Sequence, residues 1–475
     1  MQNTKQKSVE AKSNQDTYLK LIFAVVVFVI LEIFLPAPGQ IKLTFATIGM
    51  GTVLWVSRPV PLSMTSIFVI MVLVVTRAAP LNVSLSGFAT GSLFLVLSGF
   101  MMARGVNSTN LGRRMAFTIL ARFGSSPGMA LWGLFLTMEI LAFAVPATAV
   151  RTLLLLPVVM ILIESVDNTE GVSNTKKLFL FGLCFGVNIT GAGVLPGALA
   201  NVMTAELVGN LTGQTFGYYR WLFAALPISL LLIPMTWFIL MKVFPSEVKT
   251  FDTNIFKKYL EDLGPVDWRE KRCVGILILT VMLWMLEPFH GWHPAVPAIL
   301  ATLLMAFPGI GFADWEDLLR INWGTIVLLG TSLSLGTVLN QTGGAAFIAD
   351  LISNVGWLRL IFATPLLAVA VVVIFTQLYH LAVGHVSTVV ATLIPVVVQV
   401  AVNLGEDPVL YGFLVGLSAL FGFLLVIETI PNIIVYNSGY LHPLDWLKPG
   451  ILISLAVVLA IVVVAWLWWP VIGLL

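Results

Sequence analysis

The sequence predicts an all-α polytopic membrane protein made of two inverted-topology repeats, with about 11 transmembrane helices and two re-entrant hairpins. Three observations carry this. Of 475 residues, 59% are apolar and 10% charged, whereas a soluble chain carries about 25% charged residues. With a mean hydropathy of +0.99, the default solvent is lipid rather than water. Apolar runs of near-span length recur along the whole chain, and short motifs recur in the same order on either side of one basic linker.

A span needs about 20 apolar residues. Runs at 18–35, 41–56, 62–75, 92–103, 178–187, 221–243, 274–286, 295–307, 325–339, 409–427 and 450–469 supply the spans. Two further apolar stretches break in the middle, near 127–165 around Pro146 and near 360–403 around Gly384, and read as the hairpins. The chain divides into a polar N-terminal tail (1–17), a first helical half (18–245), a linker (246–272) and a second half (273–475). The linker carries Lys249, Lys257, Lys258, Arg269, Lys271 and Arg272. Basic loops stay in the cytoplasm, which places the linker and the N-terminus, with Lys5, Lys7 and Lys12, inside. Eleven spans then put the uncharged 465–475 tail outside, with Trp466, Trp468 and Trp469 as an interfacial aromatic belt. No small-residue cleavage site follows the first apolar run, so it reads as a span and not a removed signal peptide. The expected location is the plasma (cell inner) membrane, multi-pass.

Other classes find little support. The net charge of +2 comes with no basic block, so no nucleic-acid partner is expected. Cys184 and Cys273 lie in or beside apolar runs and make no disulfide framework. No Cys/His cluster has metal spacing.

The internal repeat is read from four pairs. Asn107-Ser108-Thr109 recurs as Asn340-Gln341-Thr342, each before an amphipathic stretch at 111–123 or 345–355. Val145-Pro146-Ala147 with Leu156-Pro157-Val158 recurs as Val383-Gly384-His385 with Ile394-Pro395-Val396. Pro196 to Asn201 recurs as Pro431-Asn432, and Tyr219-Arg220-Trp221-Leu222 as Leu444-Asp445-Trp446-Leu447. The offsets stay at roughly 230 residues, as a long repeat requires.

Helix breaks in lipid survive only where protein or a water-filled cavity satisfies the freed backbone groups. Breaks at matching places in two halves point to a mid-membrane site. Half-helix N-termini suit anions, and unwound carbonyls suit a coupling cation. The breaks are the tips Pro146-Ala147-Thr148-Ala149 and Gly384-His385-Val386-Ser387-Thr388, and the unwound stretches 191–201 and Thr429-Ile430-Pro431-Asn432. The competing reading is a set of ordinary kinks and small-residue packing faces.

At these residues the chain resembles the divalent anion:sodium symporter family of the ion-transporter superfamily. The resembling stretches are Leu97-Ser98-Gly99-Phe100-Met101-Met102-Ala103 with Leu111-Gly112-Arg113-Arg114, then 330–336 with Gln341-Thr342-Gly343. The most specific is Thr429-Ile430-Pro431-Asn432-Ile433-Ile434-Val435 with Ser438-Gly439-Tyr440-Leu441. The resemblance spans nearly the whole chain. It implies a homodimer, elevator-type movement, and di- or tricarboxylates or sulfate-like anions as substrates. Sodium-coupled members resemble one another in a Ser-Asn-Thr at each tip. Those positions hold Ala147, Thr148 and Ala149 in the first half and His385, Val386 and Ser387 in the second. The stretch from Pro146 to Arg151 is similar to the Pro-Ser-x-Thr-x-Arg-like tip of carboxylate exchangers in the family.

The substrate-binding candidates are therefore Ala147, Thr148, Ala149, Arg151, Asn201, His385, Val386, Ser387, Thr388, Pro431 and Asn432; Gly197, Glu428 and His385 are coupling-ion candidates. Arg151 is an intramembrane charge able to grip a carboxylate bidentately, or to pair with Glu139 or Glu164. Histidine as a residue type titrates near neutral pH, so His385 could hydrogen-bond an anion or carry a proton, and a buried Glu428 relays a proton if its pKa is raised; alternatively His385 is a packing histidine. Arg113, Arg114 and Arg122 read as the basic face of an interfacial helix at the headgroups. No resident cofactor is expected, only a coupling Na+ or H+. The expected partners are a small anion, the lipid bilayer and a second copy. The leading function is transport of small organic anions by exchange or cation symport. The alternatives are an inorganic ion carrier (a Na+/H+ antiporter or oxyanion transporter) and a membrane enzyme or channel. An enzyme would need paired acids, a metal set or a nucleophile with its base, and none is placed.

Overall fold

A computed structural model describes residues 2–145, 147–165, 173–214, 216–353 and 356–474; Pro146 at the first tip and Val355 lie outside them. The described residues form helices and connecting segments, with no strand among them. Six helices are long and apolar enough to cross a membrane: Asp16–Phe34, Tyr218–Val243, Trp323–Gln341, Pro365–Val383, Val386–Leu404 and Pro443–Leu467. The first of these is the apolar part of one helix, Gln2–Phe34, and turns Ile22, Phe23, Ile33 and Phe34 outward. Such a surface is stable only in lipid.

The helices pack as two groups. Gly39–Ser57, Leu62–Val75, Gly91–Asn107, Trp268–Met285, Ala295–Ala306 and Trp323–Gln341 form one. The second holds both hairpins, two interrupted helices, Tyr218–Val243 and Leu447–Leu467. The groups meet along Trp323–Gln341 and Gly91–Asn107.

Within the second group one order of elements occurs twice: a helix, a second helix a few residues on, then a helix interrupted by a 3-10 turn. The first set runs Pro127–Ala144, Thr148–Glu164, Ser173–Gly193, Leu195–Gly197 and Leu199–Thr212; the second runs Pro365–Val383, Val386–Leu404, Pro408–Ala419, Val426–Glu428 and Ile430–Tyr436. The interruptions differ from the sequence expectation in extent. Ser173–Gly193 stays helical through Gly191, and the break is only 194–198. The apolar run 409–427 is not one span, because its helix stops at Ala419 and the chain is non-helical over 421–425. There the Phe423 carbonyl lies so close to Gly450 that no Cβ would fit at residue 450. Nor is the 429–432 stretch unwound. Thr429 caps the next helix and accepts the Asn432 N–H at 3.3 Å. Pro431 falls in its first turn, where a missing N–H costs nothing.

Two further expectations are corrected. Only Trp466 of the terminal tryptophans is exposed; Trp469 is fully buried. Trp468 Nε1 donates to Phe223 O at 2.7 Å and Trp469 Nε1 to Ala224 O at 3.0 Å. Pro227, inside Tyr218–Val243, cannot donate to the carbonyl four residues back, which is that of Phe223, so an indole N–H takes it. Arg114 is held by protein partners rather than left free on the helix face. Its Nε meets Glu270 Oε2 at 2.8 Å and its Nη1 donates to Gly264 O at 2.8 Å. It thereby ties helix Leu111–Phe123 to the start of Trp268–Met285.

The Glu270 side chain is 3% exposed, so losing Arg114 strands a buried carboxylate. Arg114→Met is expected to destabilise by about 3–5 kcal/mol. The double variant Arg114→Met/Glu270→Met should recover most of that loss. Thermal unfolding in detergent, followed by tryptophan fluorescence, checks the pair.

Candidate functional site

The two interruptions are pinned in the same way. Asn201 Nδ2 donates to Gly191 O at 2.8 Å and Val194 O at 2.9 Å. Asn432 Nδ2 donates to Gly422 O at 3.0 Å and Leu425 O at 3.1 Å. Each asparagine therefore bonds the carbonyls ten and seven residues before it, across its own break. The residues correspond at one offset, from 191 to 422, 194 to 425, 197 to 428 and 201 to 432, each 231 apart. Both asparagines are fully buried, and both Oδ1 atoms lack a partner. The carbonyls freed where Ser173–Gly193 ends are taken up further: Trp221 Nε1 donates to Ala192 O at 3.0 Å, and Ser229 Oγ to Ile189 O at 2.7 Å. An unpaired carbonyl in the membrane interior costs several kcal/mol, which is why side chains from two elements converge here.

Arg151 completes the first break. It is fully buried. Nη1 donates to Met138 O at 3.4 Å and Thr190 Oγ1 at 3.2 Å; Nη2 donates to Val187 O at 3.4 Å and Gly197 O at 2.8 Å. A guanidinium has five N–H donors. Four face protein oxygens and Nε has no partner. No ion pair with Glu139 or Glu164 is formed among the described residues. Glu164 is exposed, and both Glu139 oxygens are buried and unbonded. Thus the guanidinium sits as a fixed cation in a ring of neutral oxygens.

The first tip lies against this break. Ala147 N donates to Pro196 O at 3.4 Å. A Cβ at Gly191 would lie 2.7 Å from Arg151 Nη2 and 2.9 Å from Thr148 Cγ2. Ala147, Thr148, Arg151, Gly197 and Asn201 are thus brought together, with Ala149 half-buried one residue further on. Ala147 has φ +72°, a backbone region that costs a non-glycine residue about 1–3 kcal/mol and is held only where the surroundings impose it.

The second tip turns at Gly384, φ +67°, where a Cβ would lie 3.5 Å from Ile427 Cδ1 of the second break. Ser387 and Thr388 are buried, with Thr388 Oγ1 unbonded; His385 and Val386 are half-buried, and His385 Nδ1 has no partner. Pro431 and Asn432 are buried beside Glu428, whose Oε2 accepts the N–H groups of Leu424 at 2.8 Å and Leu425 at 3.1 Å.

The two sets cross. Thr148–Glu164 packs against Ile430–Tyr436, and Val386–Leu404 against Leu199–Thr212. A buried bond from Asn188 Nδ2 to Thr429 Oγ1, 3.1 Å, joins the first interrupted helix to the second break. The sequence reading missed Asn188. It also missed His380, fully buried on the second hairpin with both ring nitrogens unbonded. The signal was present for both, as a polar and an ionisable residue inside apolar runs; the tip histidine drew the attention.

Beside the first tip, a gap of about 10 Å³ remains between Ala147, Pro196 and Ala198 and the Leu95, Val96 and Phe100 side of Gly91–Asn107. A cavity of about 630 Å³ borders it through Leu95 and Val202 and opens past Glu206, Arg220, Glu287 and His293. Glu287, on the short helix Glu287–His290 outside the spans, accepts Tyr219 N–H at 2.9 Å and so links the two packed groups. Burial pushes its carboxyl above the usual range, against the Tyr219 and Tyr218 N–H groups that lower it.

Residues 15–475 match the model of the sodium:sulfate symporter transmembrane region. The chain belongs to that family. Its multi-pass helical architecture is that of a membrane transporter family. Relatives include a putative malate transporter of Bacillus subtilis, 24% identical over 93% of this chain and 94% of the relative. An L-tartrate/succinate antiporter of Escherichia coli K12 is 24% identical over 83% of this chain and 82% of the relative. The fold is also similar to the crystal structure of the Alcanivorax borkumensis YdaH transporter, with a TM-score of 0.55 at 13% identity, covering 82% of this chain and 87% of that one.

In this member of the symporter family the asparagine pins are expected to carry fold as well as site. Asn201→Leu strands two carbonyls, as does Asn432→Leu. Each variant should lose about 1–3 kcal/mol per stranded carbonyl. The check is the shift in thermal unfolding in detergent, which should be of similar size for the two.

Proposed function

We propose that the protein is a secondary active carrier of small organic anions of the di- and tricarboxylate class. The observation that supports this most is the pair of matched, pinned helix breaks facing two hairpin tips, in a chain of this transporter family. Two inverted repeats of eleven spans and two hairpins fit the twice-repeated order of elements. In this reading the N-terminus and linker are cytoplasmic, the 630 Å³ cavity is the outer vestibule, and the hairpin group moves as an elevator against the other, in a homodimer of the plasma membrane. The helix starts at Thr148, Val386 and Leu199 offer N–H groups to the anion, with the tip residues Ala147 to Ala149 and His385 to Thr388 around it. Pro431 shapes the start at Ile430.

The malate and tartrate/succinate activities named for the two relatives support the dicarboxylate class. Arg151 bears on coupling. Its guanidinium occupies the ring of Val187, Gly197 and Met138 carbonyls that would otherwise suit a cation. A carrier with that charge built in draws no sodium ion to this half.

Counterflow in proteoliposomes tests the function. Vesicles loaded with unlabelled dicarboxylate should take up labelled malate or succinate without sodium. No entry of any carboxylate, together with sodium/proton exchange, would support an inorganic ion carrier instead.

A second outcome concerns Arg151. Arg151→Ala is expected to lose thermal stability in sodium-free detergent and to regain part of it on adding sodium chloride but not choline chloride. Equal effects of both salts count against a cation ring.

A further inference from the structure

We infer that His380 and Glu428 form a proton-binding pair in the second half, so that one proton moves with the anion. This rests on the anion-carrier reading and adds the coupling ion to it. The corresponding position in the first half is Gly197, beside which Arg151 supplies a fixed positive charge. Among the described residues, the second break has no such charge bonded to it. It has a carboxylate at 428 and a histidine at 380, and both are buried within the hairpin group.

Geometry brings the two together. Gly422 lies between them: a Cβ there would be 2.7 Å from Glu428 Cβ, 3.2 Å from Glu428 Oε2 and 2.9 Å from His380 Cε1. The ring and the carboxylate thus flank one point, and only glycine leaves room for both. Asn432 holds that point still by bonding Gly422 O. Glu428 is fixed by the N–H groups of Leu424 and Leu425 on Oε2. Neither His380 nitrogen makes a hydrogen bond of good geometry, and the ring lies within reach of the Glu428 backbone. A buried imidazole with two unbonded nitrogens is costly, and a proton taken up beside a carboxylate relieves that cost.

The other ionisable groups around the pair do not replace either member. His385, at the tip, is within electrostatic range of His380, and Arg58 within range of His385. Tyr379 faces away, bonded to Thr392. The helices packed on this arm contribute Arg359, Tyr411 and Lys448; the Tyr411 ring lies tilted against Phe362, at the far end of the arm from His380.

The chemistry is a simple balance. The proton adds to a ring nitrogen or to a carboxylate oxygen and leaves the same way, with no other bond changed. A dicarboxylate brings two negative charges to the site. Arg151 offsets one, and a proton on the pair cancels the charge of Glu428, so that the second charge of the anion meets a neutral pair. Without that proton a Glu428 carboxylate and the anion would share a low-dielectric site, which is strongly unfavourable.

The test uses the full chain in proteoliposomes containing a pH-sensitive dye, in sodium-free buffer. Malate added outside should acidify the lumen, and labelled malate uptake should rise as external pH falls, by up to about tenfold per unit. His380→Gln and Glu428→Gln should each abolish the acidification. Glutamine at 428 keeps an acceptor for the Leu424 and Leu425 N–H groups, so the local turn is retained. Absence of counterflow in the unmodified protein overturns the anion-carrier reading itself. Counterflow with no dye response leaves that reading and overturns the proton site. Acidification that persists in both variants overturns the assignment to this pair. Should both variants aggregate, the unmodified protein decides: a flat uptake profile between about pH 5 and 8 overturns the proposal, and a rise toward acid supports it.

Discussion

A helix broken inside lipid must find partners for the backbone groups it releases, and the architecture of the hairpin group follows from how this chain meets that demand. At each break one asparagine reaches back to the carbonyls ten and seven residues before it. That bond fixes the angle between the half-helices, and so fixes where the next helix starts and which way its N–H groups point. The supporting side chains differ between the halves. The first uses Trp221, Ser229 and Arg151, all from neighbouring elements. The second uses Thr429 as a cap and Glu428 across its own turn. The pins are alike and their supports are not, so the site is built symmetrically in backbone and asymmetrically in charge.

Charge burial is the second constraint. Arg114 and Arg151 show two solutions. Arg114 lies near the linker and meets a carboxylate directly. Arg151 meets only neutral oxygens. Carbonyl dipoles at the end of a helix carry partial negative charge, so the last turn of Ser173–Gly193 can stabilise a cation without a counter-ion. A carboxylate in the same place would neutralise the guanidinium and leave no net attraction for an anion. The unbonded oxygens of Glu139, on the opposite arm, fit that division: the acid is near enough to share the field but not to close the pair.

Much of this was legible in the sequence, for physical reasons that can be named. Gly and Pro at matched places in two halves gave the breaks, because those residues make an interruption cheap. Asn201 and Asn432 stood out as amides in apolar runs. The extent of each break was not legible. Proline reads as a breaker, yet Pro196 and Pro431 sit in first turns where the missing N–H is harmless. The true unwinding at 421–425 is apolar (Phe421, Phe423, Leu424, Leu425) apart from Gly422, and looks like a continuous span. The roles of Trp468 and Trp469 were hidden for a related reason. A tryptophan near a span end is normally an interfacial anchor, and only the freed carbonyl above Pro227, distant in sequence, makes it a strut. His380 was hidden because pairing with Glu428 depends on Gly422, which no local pattern connects to either.

The contacts also bear on how an anion would reach the breaks. The first tip is nearly closed against Leu95, Val96 and Phe100, leaving about 10 Å³, far below the volume of a dicarboxylate. The pins, the crossing of hairpin arms with post-break helices, and the Asn188–Thr429 bond all lie within one packed group. Opening the tip by deforming that group would strand several buried carbonyls at once, at a cost of about 1–3 kcal/mol each. Sliding the group as a body breaks none of them. Polar ties between the two packed groups include Glu287 accepting the Tyr219 N–H and the buried Ser92 Oγ donating to Val202 O at 3.3 Å, while the Thr44–Thr342 hydroxyl contact stays within the first group. The apolar seam along Trp323–Gln341 carries most of the rest, and apolar contacts exchange for one another at little cost. Where strongly bonded units meet across a weakly bonded seam, displacement costs least at the seam.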